Sequence, residues 1–178
     1  MSAVLSPVAE RFVRHWGEMG TRWGINRSVA QIHALLYISS EPLNADELTT
    51  SLQIARSNVS TSLKELQGWG LVRVVHKPRD RREYFECTKD VWEMFQTILD
   101  ERKRREIDPT IAILRECAAA AKAAGKREEY AGRRLGELLD FFTVMSNGYA
   151  QIRALPAGAV IRIAKLGSKL PKLLGLSA

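Results

Sequence analysis

The chain has little cysteine, little histidine and no long apolar run. Cys87 and Cys117 are its only cysteines. They are too few for a disulfide framework and are not spaced as a metal pair, which fits a reducing compartment. His15, His33 and His76 stand on separate segments. None has the helical spacing of a metal-binding pair, and none sits beside a serine or cysteine in a nucleophile motif. The chain therefore offers no catalytic residue, no metal site and no cofactor motif, and an enzyme is not expected. No window approaches the length of about 20 apolar residues that a membrane-spanning helix needs. Residues 1–7 run directly into Glu10, Arg11 and Arg14 without the apolar core of a secretory signal. A soluble, cytoplasmic protein is expected. Acidic residues are missing from Gln151 onward, where Arg153, Arg162, Lys165, Lys169 and Lys172 make a basic amphipathic tail. Such a tail suits an anionic membrane interface, but Pro171 and the glycines Gly158, Gly167 and Gly175 interrupt it, so a membrane is not the expected partner.

What is present is an ordinary globular composition. Of 178 residues 46% are hydrophobic and 26% charged, enough for one or two small cores. Lysine and arginine number 27 against 20 acidic residues, a formal charge of +7, which favours a polyanionic partner.

Apolar residues recur at helical spacing from the start. Val8, Phe12, Val13 and Trp16 give an amphipathic arm expected to end at the glycines between 17 and 24. Val29, Ile32, Leu35, Leu36 and Ile38 form one wide apolar face of a helix over 27–39, stopped by Glu41 and Pro42. Asn44 with Glu47 three residues on reads as a capping box opening a short helix over 45–51. After a tight turn at Gln53 and Ile54, a helix over about 55–67 puts Val59, Leu63 and Leu66 on one stripe. Its other stripe is Ser57, Ser60, Thr61 and Lys64. An apolar inner face with a short-polar, basic outer face suits a helix that enters a DNA major groove.

Gly70 ends that helix. Two β-branched or apolar stretches, 71–75 and 83–88, flank the charged tip Lys77-Pro78-Arg79-Asp80-Arg81-Arg82 and predict a β-hairpin. Three helices followed by such a hairpin make a winged helix-turn-helix. Beyond it the pattern is helical: Val91, Phe95, Ile98 and Leu99 form one stripe, then comes the basic run over 102–105. Asp108-Pro109 starts a new or kinked helix, Gly125 closes it, and a final long helix over about 126–154 carries Leu135, Leu138, Leu139, Phe142, Met145, Tyr149 and Ile152. The expected fold is mostly α with a small β-hairpin wing, a winged helix-turn-helix plus a helical dimerisation region. Its parts are an N-terminal helical arm over 1–26, a DNA-binding domain over 27–90 and a helical dimerisation and effector region over 91–178.

The stretches Glu41-Pro42-Leu43-Asn44-Ala45-Asp46-Glu47-Leu48, Val59-Ser60-Thr61-Ser62-Leu63-Lys64-Glu65-Leu66 and Trp69-Gly70-Leu71-Val72 resemble the GbsR branch of MarR-like transcriptional regulators. The resemblance extends back to Gly24-Ile25-Asn26-Arg27-Ser28 and forward to Asp80-Arg81-Arg82-Glu83-Tyr84, about the first half of the chain. It implies a homodimeric repressor whose long helices dimerise and whose affinity for double-stranded DNA responds to a small-molecule effector. Two positions depart from the family pattern: Gln53 stands where glycine is usual, and Ala55 where a serine cap is usual. An alanine cannot cap the orphan amides of a helix start, a loss of about 1 kcal/mol, so the recognition helix is expected to begin later, at Ser57 or Asn58.

The expected DNA-binding residues are Arg56, Ser57, Asn58, Ser60, Thr61 and Lys64 on the recognition helix and Lys77, Arg79, Arg81 and Arg82 in the wing. The helix residues would reach base edges and phosphates, and the wing arginines phosphates or the narrow minor groove, with Asp80 positioning an arginine by ion pairing. The competing reading keeps the same surface as a winged-helix module for protein–protein interaction without DNA. Most aromatics belong to the core. Trp16, Trp23, Trp92 and Tyr149 are the candidates for an effector site, where converging rings would hold choline or another quaternary ammonium compound by cation–π attraction. Cys87 reads as core, Cys117 as a buried, inert thiol on an interface helix, and the basic run over 102–105 as a solvated face.

Overall fold

The structure, a computed structural model, describes residues 5–167. Lys169, Lys172 and the rest of the tail beyond lie outside the described residues. The chain divides into two compact units, Met1–Ile98 and Leu99–Ala178.

In the first unit, helix α1 (Pro7–Arg22) starts at Ser6, whose hydroxyl accepts from the Ala9 amide at 3.2 Å. It ends at Arg22, within the expected stretch of glycines, after running through Gly17 and Gly20, both buried. The reason is helix α2 (Arg27–Ile38). A Cβ at Gly17 would come within 2.6 Å of the Gln31 side chain, and one at Gly20 within 2.6 Å of the Ala30 Cβ. These glycines therefore serve the close approach of α2; the chain turns only at Gly24, where φ is +76°.

Helix α2 is the centre of the core, with Val29, Ile32, Leu35 and Leu36 buried. Its C-terminal carbonyls are satisfied from a distance: Lys89 Nζ donates to the carbonyls of Leu36 (2.6 Å), Tyr37 (2.9 Å) and Ser39 (2.7 Å). Three donors meet three carbonyls at the negative end of a helix dipole. Nothing in the local sequence around Lys89 signals this, because its partners lie some 50 residues earlier.

Strand β1 (Leu43–Asn44) leads into helix α3 (Ala45–Leu52). The expected capping box is present: Asn44 Oδ1 accepts from the Asp46 and Glu47 amides at 2.9 and 3.0 Å, and Glu47 Oε2 accepts from the Asn44 amide at 2.7 Å. Gln53 takes the left-handed conformation, φ 53° and ψ 40°. That is why glycine suits this position, and a side chain there costs about 1 kcal/mol. Helix α4 (Arg56–Gly68) then begins at once, with Ala55 as an N-cap that makes no side-chain hydrogen bond. The later start at Ser57 or Asn58 is thus corrected: tertiary packing of Val59, Leu63 and Leu66, all buried, outweighs a missing cap.

Strands β2 (Val72–His76) and β3 (Glu83–Cys87) form the expected hairpin, with Val74 opposite Phe85. The sheet has a third member that the sequence did not reveal, since β1 pairs antiparallel with β3, Leu43 opposite Phe85 and Asn44 opposite Tyr84. This pairing ties the wing to the start of α3. Helix α5 (Val91–Arg102) turns a different side inward from the one expected: Met94 is buried and Ile98 partly so, while Val91 and Phe95 are exposed.

In the second unit, a π-helical turn (Lys103–Ile107) joins α5 to helix α6 (Asp108–Ala124), absorbing the break that Pro109 imposes on the backbone ladder. The basic run over 102–105 is laced with ion pairs, Arg102 with Glu106, Lys103 with Asp108 and Arg104 with Glu101. After Gly125 (φ +64°) a 3₁₀ turn (Gly125–Glu128) leads to helix α7 (Glu129–Arg153), followed by α8 (Ala157–Leu166). Helices α6 and α7 pack on each other, closely at Gly132, where a Cβ would sit 3.2 Å from that of Ala121. The apolar positions of α7 resolve into two faces. Leu135, Leu139, Phe142 and Tyr149 are half-buried, whereas Tyr130, Leu138, Phe141, Val144, Met145 and Ile152 are exposed. At about 100° per residue the second set falls within roughly 120° of the helix circumference, one continuous stripe.

Buried in α2, His33 has no hydrogen-bond partner for Nε2 among the described residues. Burial, with a smaller contribution from the Lys89 charge, pushes its imidazolium down from 6.5 to about 4. The folded state thus resists protonation, so this contribution to stability is complete above pH 6.5 and is lost as the pH falls through about 4. A shift of about 2.5 pH units corresponds to about 3 kcal/mol. Urea unfolding at pH 6.5 and pH 4.5 should show His33→Leu losing markedly less stability than the unaltered chain over that interval. Parallel losses would contradict the assignment.

Candidate nucleic-acid interface

Helix α4 presents its outer face because its inner face is fixed by Val59, Ser62, Leu63 and Leu66, all buried. Arg56, Ser57, Asn58, Ser60, Thr61 and Lys64 are all exposed. Ser57 and Thr61 lie opposite the core stripe, with Lys64 beside them at helical spacing. A groove of about 240 Å³ runs between α4, the start of α3 and the wing, bordered by Asp46, Arg56, Ser60, Lys64, Arg82 and Glu83. Of the sequence-predicted residues, four therefore converge on this groove: Arg56, Ser60 and Lys64 from α4, and Arg82 from the wing. Ser57, Asn58 and Thr61 do not line it, and Lys77, Arg79 and Arg81 belong to the wing tip beyond.

Charge pairing sorts these cations. Arg56 is held by Asp46 in an exposed ion pair, which at a solvated surface contributes little stability but fixes the arginine at the helix start. Arg82 is chelated by Asp80, Nε at 3.0 and 3.1 Å and a terminal nitrogen at 2.6 Å, while the Arg82 amide donates to the same carboxylate at 3.0 Å. The Arg82 hydrogen bonds hold the Asp80 carboxyl well below the usual carboxylate range, and Asp80 in return raises the Arg82 guanidinium. Lys64, Arg79 and Arg81 have no ion-pair partner among the described residues and are free to meet an incoming anion.

The residue that organises the wing tip was not singled out by sequence. Tyr84, buried on β3, donates its hydroxyl to Asp80 at 2.8 Å and carries Lys77 Nζ 4.1 Å above its ring centroid, with the Arg82 guanidinium 5.6 Å away. Its phenol is raised, first by that hydrogen bond to the Asp80 carboxylate. One ring thus braces two cations and the acid between them. Arg79 adopts a left-handed φ of 65°, closing the turn in which the Asp80 amide donates to the Lys77 carbonyl at 3.2 Å. The signal available was the spacing Asp80-Arg81-Arg82-Glu83-Tyr84, in which the acid, Arg82 and the tyrosine stand two residues apart at the entry to β3.

The candidate effector residues lie on three helices. Trp16 on α1 packs against Phe12, ring centroids 5.4 Å apart, and Trp92 on α5 against Phe95 at 5.8 Å. Trp23, which caps α1, is exposed. Tyr149 on α7 donates its hydroxyl to Asp100 at 2.6 Å, where Arg153 Nε also donates at 2.9 Å. Burial first, then Asp100, pushes that phenol up to about 12. Cys87 is buried as expected, whereas Cys117, expected to be buried, is exposed. Among the described residues no cluster of histidine, cysteine and carboxylate side chains could hold a metal ion, and no helix is long and apolar enough to cross a membrane.

A helix-turn-helix of α3 and α4, closed by a wing on a three-stranded sheet, defines the winged helix-turn-helix class. Residues 23–83 match the model of the MarR family, the family that the sequence resembled. The chain is 27% identical over 97 residues to the HTH-type transcriptional repressor GbsR of Bacillus subtilis (strain 168), a match spanning 54% of this chain and 53% of that protein. The chain thus spans about half the length of the curated relative it matches. A solved structure described as a transcriptional regulator shares the fold with a TM-score of 0.63 at 23% identity, covering 83% of this chain and 96% of that one. The crystal structure of MarR is 20% identical, with a TM-score of 0.35 over 78% of this chain and 93% of its own. The family and the relative are those of transcription regulators rather than of an enzyme.

Proposed function

We propose that the chain is a sequence-specific regulator of transcription that binds double-stranded DNA as a homodimer and represses by occluding a promoter. The observation that carries this reading is the pairing of a polar, basic outer face on α4 with a wing tip whose cations are braced by Asp80 and Tyr84. In this arrangement α4 enters the major groove, Ser57, Ser60 and Thr61 reach base edges or phosphates, and Lys64 neutralises phosphate. The wing, through Lys77, Arg79, Arg81 and Arg82, follows the neighbouring backbone or minor groove.

The homodimer is supported by the exposed apolar stripe on α7. A surface of six large apolar side chains is more than a monomer ordinarily leaves to water. Two-fold symmetry then places two recognition helices about one DNA turn apart, roughly 34 Å. Relief of repression falls to a small-molecule effector, with choline the first candidate and Trp16, Trp23, Trp92 and Tyr149 the residues to vary. Because coupling is reciprocal, operator DNA would weaken effector binding by the factor through which effector weakens DNA binding. The reading is tested by selecting duplexes from a random-sequence library with this protein and following the affinity of the selected sequence across a salt series. Salt-insensitive behaviour with no selected sequence would move the same surface to protein docking.

A further inference from the structure

A second cleft opens in the first unit among α1, α2 and the end of α3. It encloses about 440 Å³ and is bordered by Glu10, Arg14, Arg27, Gln31, Ser51 and Gln53, over an apolar wall that includes Val13 and Leu52. Arg14 and Arg27 are exposed, and neither side chain has an ion-pair or hydrogen-bond partner among the described residues. The stem of Arg27 is placed by the bare backbone of α1, since a Cβ on Gly17 would come within 3.3 Å of Arg27 Cγ. The glycine that lets the helices approach therefore also lays this arginine across α1 at the edge of the cleft.

The cleft continues the recognition surface. Asp46 and Thr50 stand at i and i+4, on one face of α3, and Gln53 follows its last residue. Asp46 borders the groove beside α4 and pairs with Arg56, while Thr50 and Gln53 border the cleft. The left-handed residue Gln53 joins the two, because it is the turn from α3 into the recognition helix. Two unpaired guanidinium forks with the Ser51 hydroxyl and two carboxamides form a donor set for phosphate oxygens. The cleft is open to solvent along its charged edge, as a site for a continuous polymer backbone must be.

We propose that Arg14 and Arg27 seat a DNA backbone phosphodiester beside the recognition helix, extending the interface across α1 and α2. This rests on the DNA-binding reading. Glu10 opposes the phosphate from the same cleft and weakens its binding.

Equilibrium binding of the full chain to a selected duplex and to a scrambled duplex of the same composition, each across a salt series, tests the proposal. With Arg14→Gln and Arg27→Gln combined, the log-log salt slope should become shallower by about 1.8, about 0.9 for the one phosphate that each protomer of the dimer no longer neutralises, while the preference for the selected duplex is retained. Glu10→Gln should act in the opposite sense and tighten binding to both duplexes at low salt, an outcome that a folding defect would not produce. An unchanged slope in the double variant, in a protein whose slope Lys64→Ala does reduce, would overturn the proposal and leave the DNA-binding reading standing. A wild-type chain without salt-dependent binding to either duplex would overturn the reading and the proposal with it.

Discussion

Replacing Ser60, Lys64 and Arg81 together by alanine should lower affinity for a selected duplex by about 100-fold or more at moderate salt, at about 1–3 kcal/mol for each interaction of this kind. All three side chains are exposed, so thermal unfolding should be nearly unchanged and the loss is one of recognition. The components separate in the salt series. Removing Lys64 and Arg81, which have no ion-pair partner among the described residues, deletes two cations from each protomer and four from the dimer, which should make the slope shallower by about 3.6, about 0.9 for each phosphate. Removing Ser60 should narrow the gap between selected and scrambled duplexes. Arg82 is the less informative target, because its removal also strands the Asp80 carboxylate that Tyr84 and Arg82 now satisfy and disturbs the tip itself. An affinity within a factor of two or three of wild type would exclude this surface as the DNA interface.

The second large effect concerns assembly. Phe141 and Met145, 58% and 57% exposed, sit near the middle of the apolar stripe on α7. Changing both to glutamate places two carboxylates in the proposed interface, where burying an unpaired charge costs several kcal/mol. Sedimentation equilibrium should then report the 20.0 kDa chain mass at concentrations where the unaltered protein has twice that mass. Affinity for a two-half-site duplex should fall steeply, while unfolding of the first unit is spared. A mass unaffected by these substitutions would remove α7 from the interface.

Much of this architecture was legible because the sequence states it locally. The Asn44–Glu47 capping box, the inner stripe Val59, Leu63 and Leu66, Gly70 after the recognition helix and the charged hairpin tip each depend on residues only a few positions apart. Where the reading failed, the deciding partner was distant. Gly17 and Gly20 show no packing role until Gln31 and Ala30 are set against them. Strand β1 is two residues long and exists because β3 offers Phe85 and Tyr84. Lys89 looks like one more surface cation, yet it closes the end of α2. Ala55 predicts a late helix start, but burial of the apolar stripe decides the matter. On α7 the heptad-like spacing is correct and still ambiguous, since Leu135 and Leu138 differ by less than one turn and end on different faces.

The same division holds at the candidate interface. Helix α4 and the wing cations could be named from pattern alone. The role of Tyr84 could not, because it arises from three side chains meeting across the hairpin tip, Lys77, Asp80 and Arg82. Nor could the cleft holding Arg14 and Arg27, whose two arginines are 13 positions apart and meet only because α1 and α2 pack so closely.

The central claim is that this chain reads DNA sequence as a symmetric dimer, and duplex selection from a random library tests it most directly. The account predicts enrichment of a pseudo-palindrome whose half-sites are centred about 10–10.5 base pairs apart or a multiple of it, bound with a steep salt dependence. Recovery of no common sequence, with binding indifferent to salt, would contradict it.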